Sequence, residues 1–211
     1  IANPRDWRLY QELAAQADVL LTSARYIRQL VGGTAQDVLP LSNDRVYEDL
    51  HAWRRERGLA PQPAVVILSG GNDLPLADVY EHLGRPVYVA TGDEAAALIR
   101  RPVEMLGARL LPAGDGNVVD GRRLIDALAA EGFRSVYSIS GPLVLKTLVD
   151  ARVLDRLYLT RVHRLLGGAT YDTLLEADIG APLDLELKEL YYDREGADGI
   201  GQAMEVYDVK R

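Results

Sequence analysis

Between residues 6 and 160 the chain alternates short β-prone apolar runs with amphipathic helical patterns, and this alternation restricts the fold more than any other feature. Ala64-Val-Val-Ile-Leu68 has no polar side at all, the mark of a strand covered on both faces. Asp18-Val-Leu-Leu-Thr22, Pro86-Val-Tyr-Val-Ala90, Ala108-Arg-Leu-Leu111 and Val136-Tyr-Ser-Ile139 read as four more short strands. Helical spacing fills the intervals over residues 6–17, 24–31, 44–58, 93–100 and 120–131, and again after Pro142. In the 44–58 helix, Val46, Leu50 and Trp53 share one side and Gly58 ends the pattern. Strands that alternate with helices pair in parallel through right-handed crossovers, with helices on both faces of the sheet.

Beyond Gly167-Gly168 the period changes. Leu183, Leu185 and Leu187 alternate with Asp184, Glu186 and Lys188, which predicts an antiparallel strand with one buried face. A Gly- and Asp-rich turn follows over residues 193–201, then a last strand over 203–209. No repeat, low-complexity tract or linker divides the 211 residues. The expectation is one α/β domain with three layers, a mostly parallel central sheet and antiparallel C-terminal strands.

Composition narrows the function. Hydrophobic residues make up 48% of the chain, enough for a sizeable core. The absence of cysteine excludes disulfides, thiolate metal sites and cysteine nucleophiles, and agrees with a reducing, cytoplasmic location. The net charge is −7, and the densest basic run, Arg54-Arg55-Glu56-Arg57, reads as a solvated helix face, so no nucleic-acid partner is expected. No apolar run reaches membrane-spanning length. The three histidines have no metal-ligand spacing, so no metal is expected; His51 and His82 read as structural, while His163 faces either a pocket or solvent. There is no G-x-S-x-G elbow, P-loop or G-x-G-x-x-G fingerprint.

What remains is a set of four strand ends: Leu20-Leu21-Thr22-Ser23, Ile67-Leu68-Ser69-Gly70, Val89-Ala90-Thr91-Gly92 and Ser138-Ile139-Ser140-Gly141. Each stops in small or hydroxyl residues. Ligands of parallel sheets bind beyond the carboxyl ends of the strands. Small residues admit a ligand to the backbone, hydroxyls donate to phosphate oxygens, and the helices that begin at Ala24 and Pro142 would turn free N–H groups towards an anion. Taken singly, each end is first a helix cap or a turn. Together, on one rim, they point to a nucleotide or dinucleotide site.

The segment "VYSISGPLVLKTLVDARVLDRLYLTRVHRLLGG" resembles the C-terminal signature of the reductase domain of riboflavin biosynthesis (RibD C-terminal-like), a family with the dihydrofolate-reductase-like fold. Ser140-Gly141-Pro142 stands where the family has Glu-Gly-Gly-Pro. Asp155 and Leu157 match its turn before a strand, and Leu165-Leu166-Gly167-Gly168 matches its glycine loop. "DVLLTSARYIRQL" and "AVVILSGGNDLPL" resemble two earlier segments of the family. The family's first strand, ending in Ser-x-Asp-Gly, has no counterpart here and is expected upstream of Ile1.

The resemblance implies an NADPH-dependent reductase, with NADH not excluded, acting on a small heterocyclic or imine-like substrate such as 5-amino-6-(5-phosphoribosylamino)uracil. It implies that Ser140, Gly141, Pro142 and Leu143 hold the diphosphate, that Thr22, Ser23 and Ala24 flank it, and that Ser69, Gly70 and Thr91 receive the adenosine side. Arg25 or Arg45 would meet a 2′-phosphate. Asn3 and Asp6, at the start of the first helix, are the candidates for substrate contact, and no proton donor is identified. A homodimer is also implied. A non-catalytic NAD(P)-binding module on the same fold and a pterin or dihydrofolate reductase are the alternatives.

Overall fold

The computed structural model of the protein describes residues 3–71, 74–170, 173–175 and 178–210. Asn72 and Asp73, part of the resemblance above, lie outside the described residues, as does the side chain of His82. Five strands, β1 (Val19–Ser23), β2 (Ala64–Leu68), β3 (Val87–Thr91), β4 (Arg109–Pro112) and β5 (Val136–Ser138), form one sheet in the order β4-β3-β2-β1-β5. Every pairing in it is parallel; Leu21, for example, lies beside Val66 on one side and Ser138 on the other.

Alternate residues of these strands point to two separate cores. Val65, Ile67, Val87 and Val89 meet Ile27 and Leu30 of α2 (Ala24–Val31), Val79 and Leu83 of α4 (Leu76–Leu83), and Ile99 and Val103 of α5 (Asp93–Met105). Val19, Leu21, Val66, Tyr88 and Ala90 meet Leu124 and Leu128 of α6 (Gly121–Ala130) and Val144 and Leu148 of α7 (Pro142–Asp150). Leu20 turns to a third cluster formed by α1 (Pro4–Gln16) and α3 (Glu48–Glu56). The strands are apolar on both sides because helices cover both sides. The expected three-layer α/β architecture is therefore present.

The last three strands, β6 (Arg156–Val162), β7 (Leu185–Asp193) and β8 (Gln202–Val209), form a separate antiparallel sheet in the order β6-β8-β7, with a bulge between Leu187 and Glu189. No helix among the described residues is long and apolar enough to cross a membrane.

Four local expectations change. The 44–58 helix divides into a 3₁₀ turn, Arg45–Tyr47, and α3, and Val46 is exposed while Leu50 is buried. The helix predicted over 93–100 continues past Pro102 to Met105, because Val103 is drawn into the core beside Ile99. Arg54 is not solvated. It is 1% exposed, and its guanidinium donates to the carbonyls of Ala15 (2.7 Å), Ala17 (2.7 Å) and Ala60 (2.6 Å), closing the C-terminal end of α1. The Ala15 and Ala17 carbonyls have no partners within α1, and a buried cation meets them at the negative end of its dipole; Ala60 lies in the segment between α3 and β2. Burial lowers the pKa of Arg54 from the ordinary arginine range. Finally, the alternation over Leu185 and Leu187 is a strand, but every residue of β7 except Asp193 is exposed.

Candidate functional site

The four strand ends do lie on one rim. β3, β2, β1 and β5 are successive neighbours, so Thr91, Ser69, Thr22-Ser23 and Ser140 follow one another across three inter-strand steps, roughly 14 Å. Each end then has its own local chemistry.

At the β5 end, Ser140 does not point outward. Its Oγ donates to the carbonyl of Leu21 at 2.9 Å, tying the end of β5 to β1. Gly141 is the N-cap of α7 and has no side chain to cap it; Pro142 takes the first helical position, where its missing N–H is no loss. A Cβ on Gly141 would meet no atom within 4 Å, and Leu143 is exposed. The first turn of α7 thus presents uncapped N–H groups and the positive end of its dipole to open space. At the β1 end, Thr22 and Ala24 are buried, and Ser23 Oγ accepts the N–H of Tyr26 at 3.2 Å as the N-cap of α2. Arg25 stands exposed in the first turn of α2; Arg45 belongs to the 3₁₀ turn before α3.

The β2 and β3 ends are roofed. Ser69 Oγ is turned to its own loop, 3.0 Å from the carbonyl of Gly71. Thr91 is fully buried, and among the described residues its hydroxyl has no hydrogen-bond partner. Over them lies the loop of residues 113–120. Its Gly116 carbonyl accepts from Ala95 N (3.1 Å), and its Gly114 carbonyl accepts from Asp93 N (3.0 Å), so the loop occupies the N-terminus of α5. A Cβ on Gly92 would collide with the backbone of Gly116, and one on Gly70 would stand 3.2 Å from the carbonyl of Asn117. Gly-Asp-Gly-Asn at 114–117 is a strong turn signal, and Asp115 and Asp120 read as solvated loop acids, but nothing in the sequence tells that this loop folds back over β2 and β3.

Asn3 and Asp6 sit at the same carboxyl-end side, at the start of α1. Asn3 Oδ1 accepts the N–H groups of Arg5 (2.9 Å) and Asp6 (3.0 Å), so this residue is the helix cap. Asp6 is 5% exposed and accepts a 2.7 Å hydrogen bond from Thr160 Oγ1 on β6, joining the first helix to the antiparallel sheet. Around it gather three phenols. Burial, then Tyr10, Tyr158 and Asp6, push the Tyr137 hydroxyl well above the ordinary tyrosine range, and burial with Asp6 raises Tyr10. Tyr137 therefore stays a neutral hydrogen-bond donor throughout the physiological range. Tyr137 and Tyr158 come from strands far along the chain from Asp6 and Tyr10 of α1, and no local pattern marked these two. His163 is exposed and stacks on Tyr192 at 5.3 Å.

The open, uncapped α7 end and the small residues beside it fit a dinucleotide's diphosphate, and the polar, aromatic wall next to it fits a flat polar ring. A family model described as RibD C-terminal domain matches residues 1–197. No curated protein matches the chain. Among solved structures, a pyrimidine reductase-like protein from Corynebacterium diphtheriae superimposes with a TM-score of 0.71 at 19% identity, covering 100% of this chain and 83% of that one. RibD from Acinetobacter baumannii gives a TM-score of 0.69 at 17% identity; all of this chain is covered, but it spans only 52% of that protein. The diaminohydroxyphosphoribosylaminopyrimidine deaminase/5-amino-6-(5-phosphoribosylamino)uracil reductase of Thermotoga maritima gives 0.60 at 14%, covering 99% of this chain and 50% of that one. These likenesses share the fold, and the match of the family model along nearly the whole length settles membership: the chain belongs to the RibD C-terminal domain family.

Proposed function

We propose that the protein is an NADPH-dependent reductase that passes a hydride to a small heterocyclic substrate of the 5-amino-6-(5-phosphoribosylamino)uracil kind. The observation that carries this reading is the α7 N-terminus: uncapped, open above Gly141, and set on a rim of four parallel strand ends. Bound there, NADPH supplies the hydride. The chain's own part is positioning. N–H groups at Leu143 and beyond hold the diphosphate, Gly141 and Pro142 shape its cradle, and Ser140 locks the cradle to β1 through Leu21. Thr22, Ser23 and Ala24 flank the phosphates. Gly70, exposed at the β2 end, receives the adenosine side; Ser69 and Thr91, buried under the 113–120 loop, do not touch it and form the floor behind, and Arg25 meets the 2′-phosphate. Asp6, with Asn3 beside it, lies on the substrate side.

The active form in this proposal is a homodimer. Leu187, Leu190 and Tyr192 share one face of the antiparallel sheet and are 49%, 57% and 55% exposed. At the centre of that face the buried Glu205 carboxylate is held by Arg161 and by Tyr207 Oη (2.8 Å), so its charge is already satisfied. A second copy presents the same apolar face, which makes it a suitable cover. With no cysteine to oxidise, the proposed setting is the reducing cytoplasm.

The test is a titration with NADPH and NADH, following Trp7 and Trp53 fluorescence, then a turnover assay with the ribosylaminopyrimidine. NADPH is expected to bind more tightly than NADH and to be oxidised. Binding of neither nucleotide would overturn the proposal. Binding without turnover on pyrimidines or pterins would leave only the non-catalytic module.

A further inference from the structure

Gln202, the first residue of β8, is fully buried, and among the described residues no group hydrogen-bonds to either its Nε2 or its Oε1. Leaving a buried polar atom unpaired costs about 1–3 kcal/mol, so both ends of this carboxamide call for an explanation. Its strand neighbours fix the direction it faces. Gln202 pairs with Val162 of β6 and with Asp193 of β7. Thr160, two residues before Val162 and therefore on the same face, reaches Asp6 at 2.7 Å. Asp193 is paired with Arg5. Gln202 thus lies on the side of the sheet that meets the first turn of α1. There Asp6 is buried, and Asn3 Nδ2 is buried without a partner among the described residues.

The cover over this amide is strained. The backbone of Gly196 lies against it: a Cβ at this position would stand 2.6 Å from Gln202 Cγ. Ala197 and Asp198 follow at φ 52° and 60°, a left-handed conformation that costs non-glycine residues roughly 1 kcal/mol or more each. Arg5 holds the turn down through Asp193 and through Glu195 at 3.4 Å, and residues 198–200 are exposed. A strained turn closed over an unsatisfied amide has less to lose on lifting than a relaxed one.

We propose that Gln202 and Asp6 form a recognition edge for a lactam group, an adjacent ring N–H and C=O, on the heterocyclic substrate, exposed when the 194–201 turn lifts. The substrate class rests on the reductase reading, which already places Asp6 on the substrate side; Gln202 does not enter it. The carboxamide N–H donates to the ring carbonyl, its oxygen accepts the ring N–H, and the Asp6 carboxylate accepts from an amino substituent. A ring without that donor–acceptor pair leaves the amide unpaired and is rejected.

The experiment measures binding of 5,6-diaminouracil and, separately, of NADPH to the full chain by calorimetry, with the melting temperature of the free protein alongside. In Gln202→Leu, affinity for 5,6-diaminouracil is expected to fall at least tenfold and NADPH affinity to stay within about twofold. The melting temperature is expected to hold or rise, because two unpaired polar atoms are gone. Should the leucine variant fail to fold, Gln202→Met, closer in shape, carries the same expectations. A wild type that binds NADPH but not 5,6-diaminouracil overturns the inference, as does a folded variant with unchanged 5,6-diaminouracil affinity. Gln202-dependent binding of 5,6-diaminouracil without NADPH binding supports the recognition edge and sinks the reductase reading alone.

Discussion

The two sheets of this molecule use similar apolar residues in opposite ways. β1, β2 and β3 are buried along almost their whole length, between α2, α4 and α5 on one face and α6 and α7 on the other. β7, with Leu185, Leu187, Leu190, Tyr191 and Tyr192, is exposed along almost all of its length. An apolar pattern tells which side of a strand needs cover, but not which molecule supplies it. The parallel half finds its cover within the chain and can hold a rigid rim. The antiparallel half offers one face outward and turns the other, through Thr160 and Tyr158, to α1 and the polar wall beside the rim.

If the parallel half is self-sufficient, damage to it should cost folding stability directly. Arg54→Ala leaves the carbonyls of Ala15, Ala17 and Ala60 buried without their donor. A loss of roughly 3–5 kcal/mol is expected from urea denaturation. Leu124→Ala opens a cavity beneath α6 at a residue with no exposed surface and should cost about 2–5 kcal/mol. In the antiparallel half, Leu190→Asp should change folding of the single chain by no more than about 0.5 kcal/mol yet turn a dimer into a monomer in sedimentation velocity. A Leu190→Asp protein that unfolds like Leu124→Ala would erase the distinction between the sheets.

Smaller effects sharpen it. Ala197→Gly relieves a left-handed residue in the turn over Gln202 and should stabilise by about 1 kcal/mol in the same denaturation assay. The Tyr137 phenol, raised by burial, is held protonated in the folded state. Its contribution to stability is complete below the ordinary tyrosine value of about pH 10, and is lost as pH rises through the higher folded value. Melting temperatures across the alkaline range should therefore fall less steeply for Tyr137→Phe than for wild type.

The strand ends were legible because their signals are local: a β-prone run, then a hydroxyl or glycine. Their placement on one rim followed from β–α alternation, and the family resemblance agreed with it. Helix α4 was legible only as a pattern around His82, with Leu76, Val79, Tyr80 and Leu83 at i, i+3, i+4 and i+7; its start after Pro75 has no capping side chain, so its bounds were not. The run around Arg54 was misread since only tertiary packing turns one arginine of three inward. The contact between Thr160 and Asp6 spans 154 residues, and the loop over Thr91 approaches from beyond β4. Such partners are fixed by the finished fold, not by their neighbours in sequence.

The central claim is that the α7 N-terminus holds the cofactor's diphosphate. Gly141 tests it cleanly, because its φ of −69° suits any residue and a Cβ there meets nothing within 4 Å. Gly141→Asp should fold and melt like wild type while its carboxylate repels the diphosphate. NADPH titration of the two proteins is predicted to show at least tenfold weaker binding by the variant, about 1.4 kcal/mol. Equal NADPH affinity in a folded Gly141→Asp protein would contradict the account.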